Sequence, residues 1–171
     1  KIDWASARIQ TKIDGSLIKV WLDEEWHVST NGMIDAFKCN LMLPTDEFKM
    51  FGDLFLVAEK NSNLDRSKLN KDYTYLFELV SPFNRIVVPY KKIEIYHIGT
   101  RDLITGEELD VNIGVQKPKA YSFSTLEEVI ENASKLPFDQ EGYVVVDKYW
   151  RRVKIKGLQY LTAHHMRSND G

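Results

Sequence analysis

The run YTYLFELV, residues 73–80, constrains the fold more than any other stretch. Its aromatic and β-branched content favours a strand, and alternation puts Leu76, Glu78 and Val80 on one face and Phe77 and Leu79 on the other. A carboxylate in so apolar a strand is costly unless it lies at a sheet edge, is paired or is functional. RIVVPY (85–90) and KIEIYHI (92–98) have the same character and extend the strand-rich middle of the chain. Near the start, SARIQTKI and SLIKVWL flank Asp14-Gly15, and EEWHVST follows LDEE, which predicts a meander-like opening. Near the end, EGYVVVD and RRVKIKG predict a hairpin around KYW.

Two segments have helical spacing instead. PTDEFKMFGDLFLVAEK places Phe48, Phe51, Phe55 and Ala58 on one face after Thr45 as N-cap, with Gly52 costing about 1 kcal/mol. STLEEVIENASKLP has Ser124 and Glu127 at capping-box spacing, with Leu126, Val129, Ile130 and Ala133 on one face before Pro137. The expected fold class is therefore α+β, with antiparallel β-sheets flanked by helices. At 171 residues and 43% hydrophobic content the chain suits one domain, placed at residues 1–163, with 164–171 (HHMRSNDG) as a flexible tail.

A formal charge of -2 excludes a global positive field, but six cations stand against one anion between Asp147 and Arg167, enough to hold phosphate locally. The single cysteine, Cys39, excludes an internal disulfide and a multi-thiolate metal site, which suits the cytoplasm. No apolar run approaches the roughly 20 residues that cross a bilayer, and KIDWASARIQ lacks a signal-peptide core, so no membrane partner is expected.

TKIDGSLI raises the chemical question, because a cation, an anion and a glycine crowd one junction. An isolated lysine amine, with a pKa near ~10.4, is protonated at neutral pH and a poor nucleophile. Neighbouring cations and partial desolvation would activate Lys12 for a covalent step. Lys154 and Lys156 share one face of a strand with Ile155 on the other, and their mutual repulsion calls for an anion between them and Lys12, such as a polyphosphate. Glu78 and Glu141 could take a ribose hydroxyl or, through water, a hard cation such as magnesium. Blander readings stand beside these: lysines on a solvated strand face, Glu78 as an edge charge, Glu141 as turn chemistry. His164 and His165 fit a surface tail better than a metal site, and the four tryptophans fit core or rim positions.

KIDGS, FELVSPFNRIV, EGYVVV and VKIK resemble, in that order, nucleotidyltransferase motifs I, III, IV and V of the covalent polynucleotide ligases and capping enzymes. The likeness runs from about Gln10 to His165 and is nearest to the phage-type RNA ligase 1 family, which reseals broken RNA in tRNA repair. A lone K-x-D-G would be weak, whereas the ordered set is specific. The resemblance implies a nucleotidyltransferase domain, ATP-grasp-like, with sheets walling a nucleotide pocket. It implies that Lys12 attacks the α-phosphate of ATP and holds AMP through a phosphoramide bond as pyrophosphate leaves. Asp14 and Gly15 would shape the loop presenting Lys12, Glu78 would contact the ribose, and Glu141 would hold the water shell of Mg2+ or Mn2+, with Glu78 the second metal candidate. Lys154 and Lys156 would contact the α-phosphate and offset transition-state charge, and Ile98 and Val144 would sandwich adenine. AMP would pass to an RNA 5′-phosphate, and a 3′-hydroxyl would displace it.

The chain departs from the superfamily pattern at two positions. Leu17 stands where DNA ligases and capping enzymes carry an arginine, which favours the RNA ligase branch, and Asn31 replaces a common family lysine. The family's upstream segment and C-terminal domain are expected outside this chain, which is expected to act as a monomer on ATP and on RNA ends. A DNA ligase or guanylyltransferase of the same superfamily stays open as an alternative, as does a non-catalytic domain that binds RNA through RRVKIK.

Overall fold

A computed structural model describes residues 1–169. The chain is α+β and gathers into two compact units. One comprises residues 1–14, 86–89 and 118–171, and the other residues 15–85 and 90–117.

The first unit is built on strands β1 (Arg8–Thr11), β7 (Ala120–Tyr121), β8 (Gly142–Val146) and β9 (Arg152–Lys156), in the order β7-β1-β8-β9 and antiparallel throughout. Helix α2 (Leu126–Ser134) packs on it through Val129 and Ala133, which join Ile9, Tyr143 and Val145 in a small apolar core. The helix begins one residue later than its spacing suggested. Thr125 accepts the Glu128 N–H, and the Glu128 carboxylate accepts the Ser124 N–H at 2.6 Å. Leu126 and Ile130, expected on the buried face, stay exposed.

The second unit has five antiparallel strands in the order β3-β2-β4-β5-β6: β2 (Ser16–Asp23), β3 (Glu25–Thr30), β4 (Tyr73–Val80), β5 (Glu94–Asp102) and β6 (Glu108–Leu109). Helix α1 (Phe51–Asn61) covers this sheet with Leu54, Phe55 and Ala58 fully buried. Gly52 sits in its first turn because a Cβ there would meet the Phe37 ring at 2.4 Å.

Four expectations are corrected. Asp14-Gly15 is not a hairpin turn, since β1 and β2 belong to different sheets; the tight turn lies at Glu24, with φ 59°. The first helix starts at Phe51, six residues after Thr45, because the Asn40–Met50 bridge holds the preceding chain extended and Thr45 accepts the Phe48 N–H in a turn. RIVVPY forms no strand, because the N–H groups of Val87 and Val88 are taken by a side chain described below. The flexible tail expected from His164 is helix α3 (Leu158–Asn169), anchored by buried Tyr160; Asp170 and Gly171 lie outside the described residues.

The hairpin between β8 and β9 is fixed by Asp147, which is fully buried. Its carboxylate accepts the N–H groups of Asp3, Tyr149 and Arg151 and pairs with the Arg151 guanidinium at 2.7 Å. Burial pushes this carboxyl up, but those donors outweigh it and hold it at about 2, below the ordinary 3.8. The charged form therefore stabilises the fold above pH 3.8, and that contribution fades as pH falls toward about 2. Asp147→Asn should be less stable than wild type near neutrality, with the gap closing in acid. Thermal unfolding from neutral pH down to pH 2 reads it directly, and a gap independent of pH would contradict the assignment.

Candidate active site

Lys12 follows β1 directly, and its position is set by backbone. The Thr11 N–H donates to Lys119 O and the Lys12 N–H to Gly142 O, both at 2.8 Å. Glu141 precedes β8, and its own carbonyl accepts the Gly157 N–H at 2.8 Å, just beyond β9. These bonds bring three distant stretches of the chain to one place.

There, Lys12 Nζ lies 2.6 Å from Glu141 Oε1, and Lys156 Nζ lies 3.6 Å from the same oxygen. The Glu141 side chain is 4% exposed and that of Lys12 18%. Burial pushes the Glu141 carboxyl up, while the hydrogen bond and charge of Lys12 and the charge of Lys156 draw it back; Asp14 adds a smaller upward push. One buried carboxylate thus holds two ammonium groups side by side. Lys154 shares the strand face of Lys156, is exposed and makes no ion pair among the described residues; its register partner in β8 is half-buried Val144.

Gly142 makes the cluster possible. Its φ is +146°, and a Cβ there would stand 2.0 Å from Ile155 O and 2.8 Å from Lys156 Cα. No other residue allows β9 to approach closely enough to place Lys156 beside Glu141.

Asp14 does more than shape a loop. Its carboxylate is buried, with Oδ2 accepting from Val87 N at 3.0 Å and Val88 N at 2.8 Å, and Oδ1 accepting from the Tyr160 hydroxyl at 2.8 Å. It ties the segment after Lys12 to residues 86–89 and to α3. Tyr160 also carries Lys156 Nζ at 5.8 Å from its ring centroid.

The remaining expected residues belong to the second unit. Gly15 does not enter the left-handed region, and its value is the lack of a side chain: a Cβ would stand 2.4 Å from Leu79 O and 3.0 Å from Glu78 Cγ. Glu78 lies in β4, the middle strand of its sheet, so the edge-charge reading fails; its register partners are Leu17 and Tyr96. Ile98 is the extra residue of a β-bulge, where Leu76 pairs with Gly99 and Phe77 with His97. Asn84, which sequence reasoning missed, donates to Ser16 Oγ at 3.0 Å and to Leu79 O at 2.8 Å, tying the SPFN turn to the start of β2. Asn31 lies in an exposed turn after β3.

Among the described residues no group of three or more His, Cys, Asp or Glu side chains could hold a metal ion, and no helix is long and apolar enough to cross a membrane. A lone carboxylate such as Glu141 fits a cation held mainly by water and phosphate oxygens rather than a resident metal.

No family model matches the chain. It is 36% identical over 166 residues to a protein of Autographa californica nuclear polyhedrosis virus named "Putative bifunctional polynucleotide kinase/RNA ligase", covering 92% of this chain and 24% of that protein. It is 35% identical over 101 residues to an RNA ligase of Rhodothermus phage RM378, covering 56% of this chain and 23% of that one. The chain thus spans about a quarter of the length of the curated relatives it matches. Among solved structures, a mutant Naegleria gruberi RNA ligase with ATP and Mn superposes with a TM-score of 0.70 at 13% identity, over 94% of this chain and 52% of that one. The same ligase with PPi gives 0.68 at 14% identity, over 95% and 52%. At that identity the likeness shows the fold alone, which this chain shares with that RNA ligase.

Proposed function

We propose that this chain, a relative of viral and phage RNA ligases with the fold of the Naegleria ligase, is the adenylyltransferase part of an ATP-dependent RNA ligase. The observation that supports this most is the meeting of Lys12, Glu141 and Lys156 on one buried carboxylate, from motifs I, IV and V. ATP with Mg2+ or Mn2+ supplies the activated phosphorus and a pyrophosphate leaving group. Lys12 supplies the nucleophile, its amine aimed by the Glu141 contact and its backbone fixed on either side by Gly142 and Asp14. Glu141 is the one group within reach of the Lys12 proton in this cluster, and burial favours its protonated form. Lys156, with Lys154 on the same face, presents fixed positive charge where phosphate negative charge develops. Glu78 at the ribose, Ile98 and Val144 at adenine, and Glu78 as a second metal ligand rest on the motif resemblance alone. The acceptor is an RNA 5′-phosphate, joined afterwards to a 3′-hydroxyl.

The test is incubation of the chain with α-labelled ATP or GTP and magnesium or manganese, followed by denaturing electrophoresis and peptide mapping. Acid-labile AMP on Lys12 is expected, and sealing of nicked RNA and DNA substrates then identifies the acceptor. GMP in place of AMP would point to capping chemistry, and AMP on another residue would defeat the Lys12 assignment.

A further inference from the structure

The tip of the β8–β9 hairpin gathers charge and aromatic surface that the apolar core does not use. Tyr149 is 62% exposed, and neither it nor Trp150 belongs to the core cluster of this unit. Lys148 Nζ and Arg151 Cζ lie 5.0 Å and 4.8 Å from the Tyr149 ring centroid, and Arg8 and Arg152 lie 5.2 Å and 5.8 Å from that of Trp150. Trp150 is held at φ 62°, an uncommon conformation for so large a residue. The anchor that imposes this turn is Asp147, whose four donors leave its carboxylate buried inside rather than competing at the surface. From the tip, β9 carries Arg152, Lys154 and Lys156 on one face, a row about 13 Å long that ends at Glu141. In a chain of net charge -2, this hairpin is where cations concentrate.

Rings and guanidinium planes offer stacking faces to unpaired bases, and a row of cations offers contacts to their phosphates. The geometry points to the 148–156 hairpin as a docking surface for single-stranded RNA, with a base stacked on Tyr149 and the backbone running along Arg152 and Lys154 toward the lysine cluster. The choice of RNA rests on the ligase reading above; the stacking surface does not. Paired bases present no free faces, so duplex RNA would engage only the cations.

Fluorescence anisotropy with a labelled single-stranded RNA of about 20 nucleotides, titrated at several salt concentrations, tests this. Tyr149→Ala should weaken binding about tenfold without changing the salt dependence, and Tyr149→Phe should restore it. Arg152→Ala should lower the slope of log affinity against log salt by about one. Lys12 adenylation should stay at the wild-type level in all three. Binding by Tyr149→Ala within twofold of wild type would overturn the proposal, as would duplex RNA competing as well as single strands. If wild type takes no AMP but RNA binding still depends on Tyr149, the ligase reading falls and the RNA surface stands. If adenylation proceeds and Tyr149 is irrelevant to binding, the reverse holds.

Discussion

Lys12→Ala is expected to lower covalent AMP formation by at least about a thousandfold while the chain remains folded, because no other amine replaces the attacking nitrogen. Lys12→Arg should be equally inactive in adenylation, although it keeps a cation near Glu141. The two variants separate in stability. With alanine, the buried Glu141 carboxylate loses its nearer partner at 2.6 Å and keeps Lys156 at 3.6 Å. Its proton affinity, already raised by burial, rises further. A carboxyl raised in the folded state stabilises at low pH and loses that contribution as pH rises through its folded value. Lys12→Ala should therefore unfold at a lower temperature at pH 8 than at pH 5, relative to wild type, whereas Lys12→Arg should show a smaller difference. Labelled AMP read by electrophoresis and melting curves at the two pH values check both halves. Adduct formation by Lys12→Ala would remove the nucleophile assignment.

Asp14→Ala is expected to destabilise the fold by about 3 kcal/mol or more. It removes three hydrogen bonds to a buried charged acceptor, from Val87 N, Val88 N and the Tyr160 hydroxyl, each worth roughly 1.5–3 kcal/mol. Asp14→Asn is a graded control, since an amide oxygen at the Oδ2 position keeps both backbone donors and its nitrogen can donate to the Tyr160 oxygen. Its loss should be closer to about 1 kcal/mol. Denaturant unfolding measures both. Equal losses for Ala and Asn would mean that the hydrogen bonds do not carry the effect.

How much of this was legible in the sequence depended on whether the cause was local. Strand β4 and the β8–β9 hairpin announced themselves through alternation, and α2 through its cap, because those signals live within a few residues. The β1–β2 pairing and the RIVVPY strand failed for the opposite reason. Ile9 pairs with Val145 and Tyr121, and the carboxylate that claims Val87 and Val88 sits at position 14. Gly15 was expected to shape the loop presenting Lys12, and what it provides is clearance beside Leu79 O. For the candidate site, motif order pointed to Lys12, Glu141 and Lys156, and the fold of the first unit brings these three side chains together. Tyr160 and Asn84 left no mark that spacing or periodicity could register, since the bonds by which they tie segments together reach Asp14 and Ser16, far away in sequence.

The interleaving of the two units along the chain bears on biogenesis. A ribosome releases β1 early, yet Ile9 waits for Tyr121 and Val145 before its backbone finds partners. At ~5–20 residues per second, that wait is on the order of ten seconds. Residues 15–85 and 90–117 can meanwhile close their own sheet, leaving a nascent polypeptide with one finished half and strand β1 still unpaired. Translation stalled before Gly142 would yield a product with a formed five-stranded sheet and without the Lys12–Glu141–Lys156 cluster, which closes only once β8 and β9 have been made.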